Sequence, residues 1–230
     1  MPLVYATALP SLPLAVEEPS LRHLCVAWER AAAPRLSPGQ RAHCRRFAPT
    51  GDALRARASR LLARLLALRA LPEGAVLDLD AQGRPLVAGA PGWGAAFTHS
   101  GKAAFCLVCA PGETPAASPA QMALDAETGK TPPPADRAFA APAPTQDLRL
   151  RRWVLAEALY KALGAPPARW TAIAAAAHAG AAQRRGIWRT DGARLCWRFL
   201  AAPGHLLCAA FPGEAVWPLR LRWRPWQELG

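Results

Sequence analysis

The sequence predicts an α/β fold of the α+β type, in which long helices pack on antiparallel sheets. Two helical segments and the short strand-like runs around them carry this prediction. The first helix is predicted from Asp52, as its cap, to Ala70, with an apolar seam of Leu54, Ala58, Leu61, Leu65 and Leu68. The second runs from Gln146 to Leu163 and stops at Gly164, with Pro166 and Pro167 just beyond. The strand-like runs come in turn-separated pairs, and the order of helix then strands in the second half loosely echoes the first. The echo lies in the order of elements alone, with no repeat in the residues. At 230 residues the chain has room for one large domain or two small ones, each with a core.

Arg55, Arg57, Arg60, Arg64 and Arg69 lie mostly off the seam of the first helix, as a solvated basic face or as contacts to an anionic ligand. Ala75 to Asp80 reads as a strand, residues 81–83 as a turn, and Arg84 to Val87 as the returning strand. Trp93 to Phe97 and Ala103 to Ala110 read as two more strands around His99-Ser100-Gly101. Gln121 to Glu127 is a further strand. The segment from Thr131 to Thr145 holds five prolines, which makes it a loop. Arg194 to Leu200 and His205 to Phe211 complete the set of strands.

Composition narrows the functional classes. No stretch approaches the ~18 consecutive apolar residues of a membrane span, and the apolar start Met1-Pro-Leu-Val-Tyr5 lacks the basic residues of a secretory signal. The six cysteines show no framework spacing. Cys106 and Cys109, three apart on a strand, face opposite sides and read as two separate buried thiols. A cytoplasmic protein is expected. The formal charge of +12 implies an acidic partner: nucleic acid, an anionic surface, an acidic protein or a phosphorylated small molecule.

The chemistry concentrates in two places. Asp125 and Glu127, two apart on a strand, project their carboxylates to one face. Trp153, Glu157 and Lys161, at i, i+4 and i+8, form one stripe of the second helix. Brought together, three carboxylates and an ammonium suit a hard divalent cation such as Mg2+ with a phosphate compound as guest. Taken alone, Glu157 and Lys161 are an ordinary i,i+4 ion pair worth about 0.3–0.5 kcal/mol. Only three of the 28 cations are lysines, and Lys102, Lys130 and Lys161 all adjoin these motifs. An ammonium is not interchangeable with a guanidinium at a crowded site. Asp78 and Asp80 form a rival acidic pair, read as a solvent-facing strand edge. Ser100 beside His99 does not make a hydrolase, because neighbours on a strand point apart and no nucleophile elbow surrounds the serine.

In order, the motifs are Gly83-Arg84-Pro85, Thr98-His99-Ser100-Gly101, Leu124-Asp125-Ala126-Glu127 and Trp153-Val-Leu-Ala-Glu157-Ala-Leu-Tyr-Lys161-Ala-Leu-Gly164. This series resembles the 4'-phosphopantetheinyl transferases, of the larger monomeric type that activates surfactin synthetase, over about residues 50 to 164. The resemblance implies a pseudo-twofold monomer of two similar lobes, residues 1–118 and 119–230, each an antiparallel sheet packed with a long helix. It implies that coenzyme A binds between the lobes, with Mg2+ held by Asp125, Glu127 and Glu157. Arg84, His99 and Ser100 would hold the coenzyme, Arg84 and His99 at its 3'-phosphate. Lys161 would contact the reacting phosphate, with Glu157 and Lys161 as the catalytic pair. The implied reaction moves phosphopantetheine to a serine of an apo acyl or peptidyl carrier protein and releases 3',5'-ADP.

The sequence departs from that family at three places. Ala156 stands where a lysine usually precedes the helix glutamate, Ala123 stands where a glycine precedes the first acid, and the link from Glu127 to Trp153 is short and broken by prolines. Arg152 and Lys130 are candidates to replace the missing cation. Two other classes remain: a relative that binds coenzyme A or a carrier without catalysis, and a basic nucleic-acid module whose tryptophans stack bases. No nucleic-acid-binding signature occurs, and converging carboxylates repel a phosphate backbone, so neither nucleic acid nor membrane is the expected partner.

Overall fold

A computed structural model describes residues 2–11, 14–48, 50–113, 122–128, 139, 145–164, 169–190, 193–213 and 218–229. The fold is mixed α/β. Its elements are β1 (Leu3–Ala8), α1 (Leu14–Ala32), α2 (Pro38–Arg45), α3 (Gly51–Ala70), β2 (Val76–Leu79), β3 (Pro85–Ala88), β4 (Gly94–Ser100) and β5 (Ala103–Cys109). There follow β6 (Ala123–Thr128), α4 (Gln146–Leu163), α5 (Trp170–Gly180), β7 (Arg185–Thr190), β8 (Ala193–Ala202), β9 (His205–Pro212) and β10 (Arg220–Trp223).

Two four-stranded sheets, in the orders β10-β1-β5-β4 and β6-β9-β8-β7, form the centre, and β2-β3 is a separate hairpin. Helix α3 packs on β4 and β5, while α4 packs on β6, β8 and β9. Three apolar clusters follow from this layering. One lies between α1–α3 and the first sheet, one between α4–α5 and the second sheet, and a third between the two sheets. All seven residues of β5 are buried because both its faces are covered, which explains its unbroken apolar run. Cys106 points into the first cluster and Cys109 into the third, as their spacing predicted.

The second sheet is antiparallel throughout. The first is not: β10, from the end of the chain, pairs in parallel with β1. The first sheet therefore contains a strand from beyond residue 119, the expected start of a second lobe. The helices predicted over 52–70 and 146–163 are α3 and α4. Their ends differ in detail. Asp52 is not the cap of α3; Thr50 occupies that position without a side-chain hydrogen bond, and Asp52 sits in the first turn beside Arg55. Thr145 does cap α4, accepting from the Leu148 N–H at 3.2 Å.

Polar contacts fix the outer helices. Glu17 and Glu29 of α1 pair with Arg55 and Arg57 of α3 at 2.8 and 2.7 Å. Lys102 pairs with Glu17 at 3.1 Å, tying the β4-β5 turn to α1. Arg35 donates to the carbonyls of Leu68, Pro72 and Ala75 at 2.8, 2.5 and 2.9 Å, closing the C-terminal end of α3. Gly186 of β7 lies flat on Trp197, where an added Cβ would come within 2.6 Å of the indole.

Candidate functional site

The sheet edges β4 and β6 lie side by side, and a cleft of about 660 Å³ opens above them. Its walls come from α2, α3, the β2-β3 hairpin, β4, β6 and α4. Residues from both halves of the chain therefore share one cavity. The i, i+2 pair on β6 and the i, i+4, i+8 stripe on α4 meet there, since Asp125, Glu127, Trp153, Glu157 and Lys161 all line it.

At the acidic end, Asp125 is 4% exposed, and its Oδ1 accepts from Lys161 Nζ at 2.5 Å. Its Oδ2 is buried without a hydrogen-bond partner. Glu127 accepts from Ser100 Oγ at 3.1 Å, and Glu157 lies 3.9 Å from the same ammonium. Burial pushes all three carboxyls above their ordinary range. For Glu127 and Glu157 the neighbouring acids add to this rise, and the nearby Lys161 opposes it. Burial opposes the charge of Lys161, but Asp125, Glu157 and Glu127 outweigh that effect and hold its pKa above the usual lysine range. Three carboxylates thus share one ammonium. Among the described residues no group of three or more His, Cys, Asp or Glu side chains is arranged to hold a metal ion. The donor chemistry still suits a hard cation: the groups are carboxylate oxygens, and one buried Asp125 oxygen is unsatisfied.

The other end is cationic. Arg64 is 4% exposed, donates to Gln40 Oε1 at 3.0 Å and stacks over Phe97, 4.5 Å from the ring centroid. Arg60 stacks over Phe47 at 3.8 Å. Among the described residues neither guanidinium has a carboxylate partner. Burial, then Arg64 and Arg46, lowers Arg60 to about 10. His43 and His99 face the same guanidinium groups, and burial together with those charges lowers each to about 4. Two neutral imidazoles and two uncompensated guanidinium groups make a site for an anion.

Arg84 enters from the hairpin. Its Nε donates to Asp80 Oδ2 at 2.7 Å, and its Nη1 lies against Gly164, the left-handed C-cap of α4 at φ +56. Asp80 is not a free strand edge: its Oδ1 accepts the N–H groups of Gln82 and Arg84 at 2.9 and 2.8 Å and shapes the turn. Asp78 is likewise taken up locally, by the Leu79 N–H at 2.8 Å.

Of the predicted ligands, Arg84, His99, Asp125, Glu127, Glu157 and Lys161 line the cleft. Ser100 does not; its hydroxyl is committed to Glu127, beneath the acidic end. Lys130 and most of the proline-rich segment lie outside the described residues. Arg152 is buried and is not a lining residue, and Ala156 is fully buried in the core under α4. Sequence reasoning missed His43 and did not single out Arg60 and Arg64 from their helix. The signal for α2 was present in Ser37-Pro38: Ser37 Oγ accepts the Gln40 N–H at 3.2 Å, and proline follows at the first helical position.

Aromatic side chains complete the wall beside Glu157. Trp153 and Tyr160 each lie against Trp170, with centroids 5.9 and 5.8 Å apart. No protein-family model matches the chain, and no curated protein matches it significantly.

Proposed function

We propose that the chain transfers the 4'-phosphopantetheine arm of coenzyme A to a serine of an apo carrier protein, as its resemblance to that transferase family implies. The observation that carries the proposal is one cleft that gathers residues of all four motifs, with carboxylates at one end and, around His99, the cationic groups Arg60 and Arg64 at the other. On this reading the molecule is a pseudo-twofold monomer, with the coenzyme lying between halves. Its 3'-phosphate meets Arg84 and His99, with Arg60, Arg64 and His43 around them. These arginines supply positive charge in the cleft, where the family's lysine is replaced by the packed Ala156.

Asp125, Glu127 and Glu157 would hold Mg2+, which supplies charge neutralisation to a pyrophosphate in such a site. The remaining steps belong to the chain. Glu157, on the α4 face that lines the cleft, accepts the proton of the attacking serine hydroxyl. The serine oxygen attacks the β-phosphorus, the bond from that phosphorus to the bridging oxygen breaks, and 3',5'-ADP leaves. Lys161, held beside Asp125 and Glu157, stabilises the charge developing on the phosphate or protonates the departing oxygen. The basic surface, at a net +12, favours approach of an acidic carrier.

A coenzyme-A-binding relative without transfer is the second reading, favoured by the absence of a lysine at Ala156. The two are separated by 3',5'-ADP release. Release that requires coenzyme A, Mg2+ and apo carrier together, and stops in Asp125→Ala, supports transfer. Coenzyme binding without release supports the second reading.

A further inference from the structure

We propose that Asp80 is a positioning residue that aims Arg84 into the cleft. This inference rests on the reading that the cleft takes coenzyme A and that Arg84 meets its 3'-phosphate. A flexible arginine at the tip of a hairpin has many rotamers, and ordering it on binding costs affinity. Here that ordering is already done. One oxygen of Asp80 takes two backbone N–H groups of its own turn, at 2.9 and 2.8 Å, which fixes the carboxylate. The other oxygen takes Arg84 Nε at 2.7 Å. Nε is the edge of the guanidinium nearest its own chain, so pairing there leaves the two Nη groups facing outward.

Those Nη groups have weak partners. Nη2 reaches Gln82 Oε1 at 3.3 Å, and Nη1 lies over Gly164, where an added Cβ would come within 3.3 Å of it. The side chains of Asp80 and Arg84 are only 15% and 23% exposed, so the ion pair is shielded more than a surface pair. The hairpin, Asp80 and the C-terminal end of α4 therefore hold one guanidinium with its phosphate-binding edge open. Lysine at position 84 lacks the Nε branch and cannot be held this way.

The test measures coenzyme A and dephospho-coenzyme A binding by titration calorimetry, with steady-state KM and kcat against an apo carrier. Asp80→Asn keeps an oxygen for the turn N–H groups and removes the charged partner of Nε. We expect it to weaken coenzyme A about tenfold, the loss of one charge-assisted hydrogen bond, with dephospho-coenzyme A within about twofold. KM for coenzyme A rises with kcat held. In an Arg84→Ala or Arg84→Lys background the same Asp80→Asn change adds nothing. Asp80→Ser, a shorter acceptor for the turn, repeats the pattern and controls for folding. Additive losses in the double variants overturn the inference, because the two residues would then act independently. If Arg84→Ala weakens coenzyme A and Asp80→Asn does not, the positioning role is refuted and the coenzyme A reading stands. If Arg84→Ala leaves coenzyme A affinity unchanged, both the positioning role and the assignment of Arg84 fail.

Discussion

Lys161→Met isolates the electrostatics of the acidic end. The ammonium is 2.5 Å from Asp125 and 3.9 Å from Glu157. Its loss leaves Asp125, 4% exposed, without the partner that Oδ1 now has, while Oδ2 is already unsatisfied. Breaking a fully buried pair costs about 3–5 kcal/mol. The Lys161 side chain is 40% exposed, so water recovers part of that, and we expect a loss of about 1.5–3 kcal/mol at pH 7. For a chain of this size the shift in Tm is about 3–12 °C. The sign with pH follows from the raised carboxyl pKa values. In the variant the carboxylates lose their counter-charge, so their folded pKa values rise further. A group with a raised folded pKa destabilises the fold progressively as pH climbs past its ordinary value. The deficit therefore shrinks as pH falls toward the ordinary carboxylate range. Scanning calorimetry of the wild type, Lys161→Met and Lys161→Met/Asp125→Asn measures it, and the double variant regains part of the loss. Adding Mg2+ stabilises Lys161→Met more than it stabilises the wild type, because the cation then replaces the counter-charge that the ammonium supplied to the carboxylates. Equal stability of Lys161→Met and wild type at pH 7, with no dependence on pH, refutes this account of the site.

Four further outcomes follow from the geometry. Lowering the pH from above 6.5 through about 4 destabilises the protein by way of His43 and His99, whose folded pKa values lie below the unfolded one; the unfolded state binds the extra protons, so stability is full above that window, and His99→Gln flattens the melting profile within it. Binding of a phosphate compound takes up protons near pH 5–6, seen as buffer-dependent heats in calorimetry and reduced in His99→Gln. Gly186→Ala, with a Cβ 2.6 Å from Trp197, lowers stability by about 1–3 kcal/mol in urea titration. Arg35→Lys costs about 1–3 kcal/mol in the same assay, since one ammonium cannot reproduce the three-way contact that closes α3.

What the sequence made legible was local and periodic. The seams of α3 and α4 repeat at helical spacing, and Gly164 with its prolines marks a stop, so the bodies of both helices were readable. Strand pairs separated by Asp80-Ala-Gln-Gly83 or by Gly101-Lys102 announce their own turns. Long-range pairing has no such signature. Nothing in Arg220 to Trp223 says that it joins β1, more than 200 residues away, and a parallel edge strand of arginines reads as surface. Helix α1 carries Pro19 inside its length, which argues against a helix until the packing on α3 is known. The alanine-rich α5 has little amphipathic contrast to display. In the cleft, the acids and Lys161 were legible because two short-range spacings converge on them. At the anion end His99 stood out in its motif, but Arg60 and Arg64 did not: they look like their neighbours Arg55 and Arg57 in sequence. They are distinguished only by which residues α1 and α2 bring beside them. Among the described residues no helix is long and apolar enough to cross a membrane.

Transfer itself is read by intact-mass analysis of apo carrier proteins of the fatty-acid, polyketide and peptide-synthetase types, each incubated with the protein, coenzyme A and Mg2+. We expect a mass gain of one phosphopantetheine, mapped to a single serine, on at least one carrier, with no gain in Glu157→Gln. Wild-type rates in Glu157→Gln contradict the catalytic assignment. Unmodified carriers throughout, with the protein retained on nucleic acid until salt releases it, contradict the transferase reading itself.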